Sequence, residues 1–284
     1  MIGNRWSHSN RLSSADARGQ RVGGRTAGTV STARTAKPVA AVAAAAVTAG
    51  LLFAGSPSAT ALVGGMPAAP SVAADSVVSI MVRTSPHTGN FCTGTAVAPQ
   101  WVMSAAHCVR DVPLQVGEVE VGFGQDSHRV PIDSWEIAPT GDVALIHLAD
   151  DAGLPEYPAM ERRQAFSEQE TAGTVYGRSP LGDVADGALP TAAVTASMCP
   201  VKYQQCVRED SVLARMERPA ALQVGDSGGP LFIDGQLAAV FSGAVAFDDN
   251  VAPEESGYYL YTMTSSVAQW ADGVMGQEPS VVVQ

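Results

Sequence analysis

Long apolar runs are scarce in this sequence, and the longest is too short for a membrane-spanning helix. It extends over residues 39–54, whereas a helix needs about 20 apolar residues to cross a bilayer. A basic segment, residues 1–38, precedes it, and Ala59-Thr60-Ala61 follows it. This order is typical of a secretory signal that ends in an A-x-A cleavage site. We therefore expect residues 1–61 to be a signal peptide, the alternative being an uncleaved membrane anchor; the segment contains no Arg-Arg pair that would favour twin-arginine export.

Charged residues are also few, and their distribution is uneven. They make up 16% of the chain beside 46% hydrophobic residues, a composition typical of a globular core. Residues 1–61 hold seven basic residues and one acidic residue, so the remainder has ten basic and 27 acidic residues, a net charge of -17. Such a charge disfavours nucleic acid and anionic membranes as partners and mildly favours cationic ones. We expect a secreted, extracellular monomer with no stable membrane association after signal cleavage.

Cysteine is limited to four residues, which in an exported chain predict two disulfides with three possible connectivities. We expect the nearest-neighbour scheme. A Cys92–Cys108 bridge would pin the segment that ends at His107, and the loop-entropy model assigns about 3 kcal/mol to a ring of this size. A Cys199–Cys206 bridge would close a smaller ring.

No histidine follows position 147, and this excludes one interpretation of the strongest motif. Gly225-Asp226-Ser227-Gly228-Gly229-Pro230 places a serine on a glycine-rich turn. It fits the G-x-S-x-G elbow of α/β-hydrolases, but in that fold the histidine comes after the serine. The six residues instead resemble the nucleophile motif of the chymotrypsin/trypsin-like serine peptidases. Gly225 and Gly228 permit a sharp turn that aims the N–H groups of Gly225 and Ser227 at one point, as an oxyanion hole requires.

Two further motifs carry the same resemblance. Ser104-Ala105-Ala106-His107-Cys108 is similar to the family's Thr-Ala-Ala-His-Cys, and the stretch that begins Asp142-Val143-Ala144-Leu145 is similar to its Asp-Ile-Ala-Leu-Leu strand. The resemblance implies a triad in the order His107, Asp142, Ser227, with His107 as general base and Asp142 as its orienting acid. His147 would lie on the opposite face of that strand, which predicts a structural role.

The expected mature start, Leu62-Val63-Gly64-Gly65, resembles the Ile-Val-Gly-Gly start of activated family members. In that family the new α-ammonium pairs with the aspartate before the catalytic serine, which is Asp226 here. Relatives expose this terminus by cleavage after a basic residue, but no Arg or Lys occurs in the 23 positions before Ala61. We therefore expect export itself to activate the enzyme; a flexible post-signal linker is the alternative.

The substrate pocket is predicted from the same resemblance. Relatives that cleave after Arg or Lys carry an aspartate six residues before the serine, whereas this position is Ala221. Alignment of the terminal strand places Tyr259 where most relatives have glycine, so we expect a preference for a small or medium apolar residue. Specificity for basic residues would need a carboxylate from Glu254 or Glu255. The expected pocket residues are Ala221, Leu222, Ser242, Gly243, Ala244 and Tyr259.

Short strands separated by turn residues predict an all-β protein of two packed barrels. The resemblance implies that these are six-stranded antiparallel Greek-key β-barrels followed by a short C-terminal helix. We expect a peptidase domain over residues 62–284, with barrels over about 62–150 and 171–264 and a connection over about 150–170. A terminal helix over about 265–275 would begin at the Ser265-Ser266 pair. The expected strands are 76–82, 93–103 with a break at Pro99-Gln100, 114–123, 128–137, 141–148, 171–176, 192–198, 231–233, 237–242 and 258–262.

We expect no cofactor and no metal, and a protein or peptide as substrate. Asp248-Asp249-Asn250 with Glu254-Glu255 could supply oxygen ligands to calcium, but such a run is typical of a solvated loop. The function predicted is that of a secreted serine endopeptidase. An inactive relative that acts as a binding module and an esterase with the same triad are the competing hypotheses.

Overall fold

Short antiparallel strands are the main regular elements in the part of this protein that the structure describes. A computed structural model describes residues 62–276 except 86, 113–115, 179–187, 207, 209 and 249. The predicted signal peptide, residues 1–61, therefore lies outside the described residues. The strands are β1 Met66–Pro67, β2 Val77–Ser85, β3 Thr88–Ala98, β4 Trp101–Ser104, β5 Gly117–Val121, β6 His128–Ile137, β7 Ala144–Leu148, β8 Thr171–Tyr176, β9 Pro190–Met198, β10 Ser211–Met216, β11 Pro230–Ile233, β12 Gln236–Val245 and β13 Tyr258–Met263.

Strands β2 to β7 close into a barrel in the order β2-β3-β4-β7-β6-β5, with antiparallel pairing throughout. The residues of β7 are buried along its whole length, which explains why Asp142 is followed by an uninterrupted apolar run. In β2, buried and partly exposed residues alternate, as a strand between core and solvent requires. Val78, Ile80 and Leu145 are among the residues that fill the core of this barrel.

Strands β8 to β13 form the second barrel, in the order β8-β9-β10-β13-β12-β11, which closes through the β11–β8 pairing. The short strand β1 is added to β9 at the edge of the same sheet. Val212, Leu231 and Tyr261 belong to the core of this barrel. The expected architecture of two six-stranded antiparallel barrels is confirmed.

The helices are short: α1 Val72–Asp75, α2 Ala106–Val109 and α3 Ala268–Met275. The terminal helix is confirmed, but Thr264–Ser266 forms a 3₁₀ turn and α3 begins after it. No helix among the described residues is long and apolar enough to span a bilayer.

Some strand boundaries differ from expectation. β10 was not predicted; it pairs with β9 and β13, and these two neighbours stabilise a segment whose own sequence gave no clear strand signal. β3 begins at Thr88 and not at residue 93, because the residues before 93, Gly89 and Asn90 among them, pair with β2. Both disulfides form as expected, Cys92–Cys108 and Cys199–Cys206.

Candidate active site

His107 lies on α2, directly after β4, at the end of the first barrel. Ala105 and Ala106 are fully buried, and their small side chains let the helix pack closely against the barrel. The Cys92–Cys108 disulfide then ties the residue after His107 to β3. The histidine ring is thus carried by a short element that is fixed on both sides, with 43% of its side chain exposed.

Asp142 meets His107 through both of its carboxylate oxygens. Oδ2 lies 2.7 Å from His107 Nδ1, and Oδ1 accepts the His107 backbone N–H at 2.9 Å. Because a carboxylate can only accept, Nδ1 carries the proton and Nε2 is left with its lone pair. This tautomer is the one that a general base requires.

The pKa of Asp142 lies below its usual value of 3.8. Burial by itself would raise the pKa, but the hydrogen bonds and charge of His107 and a hydrogen bond from Ser242 outweigh burial. Since the pKa is depressed, the carboxylate stays ionised above the usual value. Its bond to His107 is lost only as the pH falls through the lowered pKa.

The turn that carries Ser227 uses two glycines in left-handed conformations, Gly225 with φ +99° and Gly228 with φ +82°. A Cβ on Gly228 would lie 2.0 Å from Ser104 Oγ and 2.3 Å from the carbonyl oxygen of Thr93. The turn therefore packs against β3 and β4 without room for a methyl group, which accounts for glycine at this position.

His107 and Ser227 line the same cleft, which has a volume of about 400 Å³. Gly225 contributes to it as well, and the apolar wall includes Phe91 and Val224. Cys108 Sγ lies 3.8 Å from the carbonyl oxygen of Ser227, so the disulfide forms part of the contact between the segment that carries His107 and the turn that carries Ser227. Residues that are 120 positions apart in the sequence thus meet at one cavity.

Leu62 and Asp226 are both fully buried, and the Leu62 nitrogen donates to Asp226 Oδ2 at 3.1 Å. The same oxygen accepts the Gln223 N–H at 2.8 Å. The expected activation pair is therefore brought together, next to the residue that is expected to act as nucleophile. The Ala59-Thr60-Ala61 site lies outside the described residues.

The predicted pocket residues divide into two groups. Tyr259 is fully buried, pairs with Ala244 across β12 and β13, and accepts the Leu222 N–H on its hydroxyl at 3.2 Å. Ala221 lines a cavity of about 650 Å³ together with Tyr259, and Ser227 is not among the residues lining it.

Ser242 and Gly243, both on β12, are the other group. Ser242 interacts with Asp142, and its hydroxyl lies 3.5 Å from that of Thr262. A Cβ added to Gly243 would meet no atom within 4 Å, so open space faces this residue. Ser242 was expected in the pocket, and its place beside Asp142 is a tertiary contact that no local signal in the sequence indicates.

Two groups of side chains have the chemical types that bind metals. Among the described residues, His107 and the sulfurs of Cys92 and Cys108 lie within 4.8 Å of one another, but the two cysteines form a disulfide and offer no thiolate. In the loop considered for calcium, Asp248 Oδ1 accepts from the Asn250 backbone and side chain. Asp249 and the side chain of Glu254 lie outside the described set.

Comparison with known proteins extends these observations. The family model described as Trypsin matches residues 62–271. An uncharacterized peptidase of Corynebacterium glutamicum is 27% identical over 191 residues, which cover 67% of this chain and 65% of that protein. The chain thus spans less than two thirds of that relative's length. A mouse tryptase is 25% identical over 213 residues, 64% of this chain and 77% of the tryptase.

Solved structures show the same fold. Mouse neuropsin, described as a serine protease expressed in the limbic system of the brain, superposes with a TM-score of 0.59 at 20% identity, over 75% of this chain and 99% of neuropsin. Human heparin binding protein superposes with a TM-score of 0.61 at 22% identity, over 76% of this chain and 98% of that protein.

Proposed function

This chain belongs to the trypsin family of serine peptidases, and we propose that it is a secreted endopeptidase that cleaves peptide bonds through Ser227, His107 and Asp142. The observation that carries the proposal is the 2.7 Å contact of His107 Nδ1 with Asp142, beside a cleft that His107 shares with Ser227. A histidine held in this tautomer next to a serine is the arrangement that activates a hydroxyl.

In the proposed reaction, His107 Nε2 removes the Ser227 proton as the hydroxyl oxygen attacks the scissile carbonyl. The N–H groups of Gly225 and Ser227 donate to the tetrahedral oxyanion, and the left-handed conformation of Gly225 supports this orientation. His107 then protonates the leaving amine, and an acyl-enzyme remains on Ser227. Water activated by the same imidazole hydrolyses this ester and restores the serine.

Asp142 has an electrostatic role in this scheme. When His107 takes up the proton, the adjacent carboxylate stabilises the imidazolium without becoming protonated itself. The lowered pKa of Asp142 keeps the carboxylate charged for this purpose at neutral pH.

We further propose a preference for a small or medium apolar residue before the scissile bond. Tyr259 supports this preference, because its fully buried ring occupies the space between residues 221–222 and β12. Its hydroxyl accepts the Leu222 N–H, which holds the ring there. A long side chain would have to displace that ring. Specificity for basic residues has less support, since Glu255 shares its cavity with Arg215 and Arg218.

The proposal of secretion and export-coupled activation is supported by two disulfides, which persist in oxidising compartments. It is also supported by the buried contact of Leu62 with Asp226. Signal cleavage after Ala61 would place an α-ammonium at this position and convert the contact into an ion pair.

The test uses Ser227→Ala in the exported enzyme and a phosphonofluoridate that acylates activated serines. We expect the wild type to be labelled at Ser227 and to cleave small apolar peptide substrates, and Ser227→Ala to lose both properties with an unchanged melting temperature. A wild type that resists labelling would favour the inactive binding module. Comparison of amide with ester substrates separates a peptidase from an esterase.

A further inference from the structure

Thr93 is a fully buried polar residue of β3, and two of its polar groups bond to the turn that carries Ser227. Its hydroxyl donates to the Gly225 carbonyl oxygen at 2.9 Å and accepts the Arg178 backbone N–H at 2.9 Å. Its own N–H donates to the Ser227 carbonyl oxygen at 2.8 Å, and its carbonyl accepts from Ser104 Oγ at 2.8 Å. One residue of the first barrel thus holds Gly225 through its side chain and Ser227 through its backbone.

Arg178, which follows β8, anchors this arrangement in the first barrel. Its guanidinium donates to the carbonyl oxygens of Val77 at 3.3 Å and Glu120 at 2.6 Å, and also to that of Gly122. It lies 4.2 Å from the centre of the Phe123 ring, and only 10% of its side chain is exposed.

The charge of Arg178 persists in this environment. Burial lowers the pKa of Arg178 to about 10, although the nearby Glu120 carboxylate raises it. The guanidinium is therefore protonated at neutral pH and keeps all of its donors. The Arg178 side chain is bonded to β2 and β5, while its backbone N–H supports the Thr93 hydroxyl.

We propose that Thr93 is a positioning residue that holds the Gly225 peptide in place for the oxyanion hole, and that Arg178 holds Thr93. This inference rests on the proposed function and deepens it. Gly225 has no side chain and adopts φ +99°, so little in its own backbone restricts its orientation. Oxyanion donors are effective only when they already point to the site where charge develops. The Gly225 carbonyl and N–H lie in consecutive peptide units, so anchoring the carbonyl on one side of Gly225 Cα limits the rotation of the residue whose N–H is one of those donors.

The experiment compares Thr93→Val with Thr93→Ser. Valine matches threonine in shape but lacks the hydroxyl, whereas serine keeps it. We expect Thr93→Val to lower kcat by about 10- to 100-fold, less than the loss of an entire oxyanion donor, with KM within about twofold of the wild type. Thr93→Ser should retain kcat within about threefold, because it restores both hydrogen bonds.

A second readout separates positioning from a general loss of structure. A peptide aldehyde forms a tetrahedral adduct with the serine, so its affinity depends on the oxyanion hole, unlike KM. We expect Thr93→Val to weaken aldehyde binding by the same factor as kcat/KM. Rates are expressed per serine labelled by the phosphonofluoridate, so a partly unfolded preparation does not distort them. Thr195→Val is the matched control, because it removes a buried hydroxyl that has no partner among the described residues, and it should leave kcat unchanged.

Arg178→Met supplies an independent test if Thr93→Val does not fold, since it retains the Thr93 hydroxyl and removes its anchor. We expect a fall in kcat and aldehyde affinity with little change in KM. The inference would be overturned if Thr93→Val and Thr93→Ser had the same kcat and the same affinity for the aldehyde. It would also be overturned if Arg178→Met kept the wild-type kcat and aldehyde affinity. A wild type that the phosphonofluoridate does not label would instead contradict the proposed function.

Discussion

At the scale of single residues, Tyr259 carries the substrate preference that we propose. Its ring contacts that of Phe241 edge to face, with 5.8 Å between the centroids. Burial raises the pKa of its hydroxyl, although the hydrogen bond from the Leu222 backbone lowers it, so the tyrosine is neutral and can accept that bond. The side chain is therefore held in place by packing on one side and by a hydrogen bond at its tip.

Replacement of Tyr259 by alanine should open space for a larger substrate side chain. We expect kcat/KM for substrates with Leu or Phe before the scissile bond to rise by about tenfold or more relative to Ala, since each methylene accommodated is worth roughly 1–3 kcal/mol. The free energy of unfolding should fall by about 3–5 kcal/mol, as for other buried aromatic residues replaced by alanine. A panel of chromogenic peptides that differ only at this residue measures the preference.

Tyr259→Phe is the control for the Tyr259→Ala experiment, because it keeps the ring and should keep the wild-type ranking of substrates. If Tyr259→Ala shows the same ranking as the wild type, Tyr259 does not define the pocket.

At the scale of elements, the turn before β11 depends on its close approach to β3 and β4. The Gly228 N–H donates to the Phe241 carbonyl oxygen of β12, so the turn is attached to both barrels. Steric contacts with Ser104 and Thr93 leave no space for a side chain at Gly228. The position of Ser227 is thus set by packing between the barrels as well as by its own turn.

Gly228→Ala should displace this turn. A methyl group 2.0 Å from Ser104 Oγ requires a backbone shift, and we expect kcat/KM to fall by about 100-fold or more, since misplacement of about 1 Å has this effect on catalysis. Gly235→Ala is the matched control. Gly235 also has positive φ, +77°, but no atom lies within 4 Å of an added Cβ. It should cost about 1–2 kcal/mol in stability and leave kcat/KM near the wild-type value. Similar losses of activity in both variants would show that backbone conformation, not the contact with the first barrel, matters at Gly228.

At the scale of the whole molecule, Leu62 and the turn that carries Ser227 are linked over 164 positions by the contact of Leu62 with Asp226. Val63 adds a β-bridge to Ala221, so the first described residues are bound to the segment that leads to the turn. Activity in our proposal therefore depends on how the chain is processed as well as on the residues around Ser227.

We expect N-terminal sequencing of the secreted enzyme to give Leu62 as its first residue. Asp226→Asn should abolish phosphonofluoridate labelling, because removal of one partner of a buried ion pair typically costs about 3–5 kcal/mol. The matched control is Asp272→Asn, which breaks the solvent-exposed pair with Arg162 and should leave labelling within about twofold of the wild type. A different first residue in an active enzyme would contradict activation by export.

The sequence alone determined the features that depend on local conformation. Glycines around Ser227 indicate a tight turn, the alternation of apolar residues indicates short strands, and the spacing of Cys92 and Cys108 favours the bridge that the structure contains. These signals were sufficient for the all-β class and the two barrels, and the resemblance of three motifs to those of a known family indicated the segments that carry the expected triad.

Only the tertiary structure decided the contacts between segments that are distant in the chain. β10 is a strand because β9 and β13 supply its hydrogen bonds. Ser242 supports Asp142, and Thr93 joins Arg178 to Gly225, because closure of the two barrels brings these residues together. No local pattern records such contacts, since a residue's neighbours in the sequence restrict its dihedral angles but not its partners more than 80 positions away.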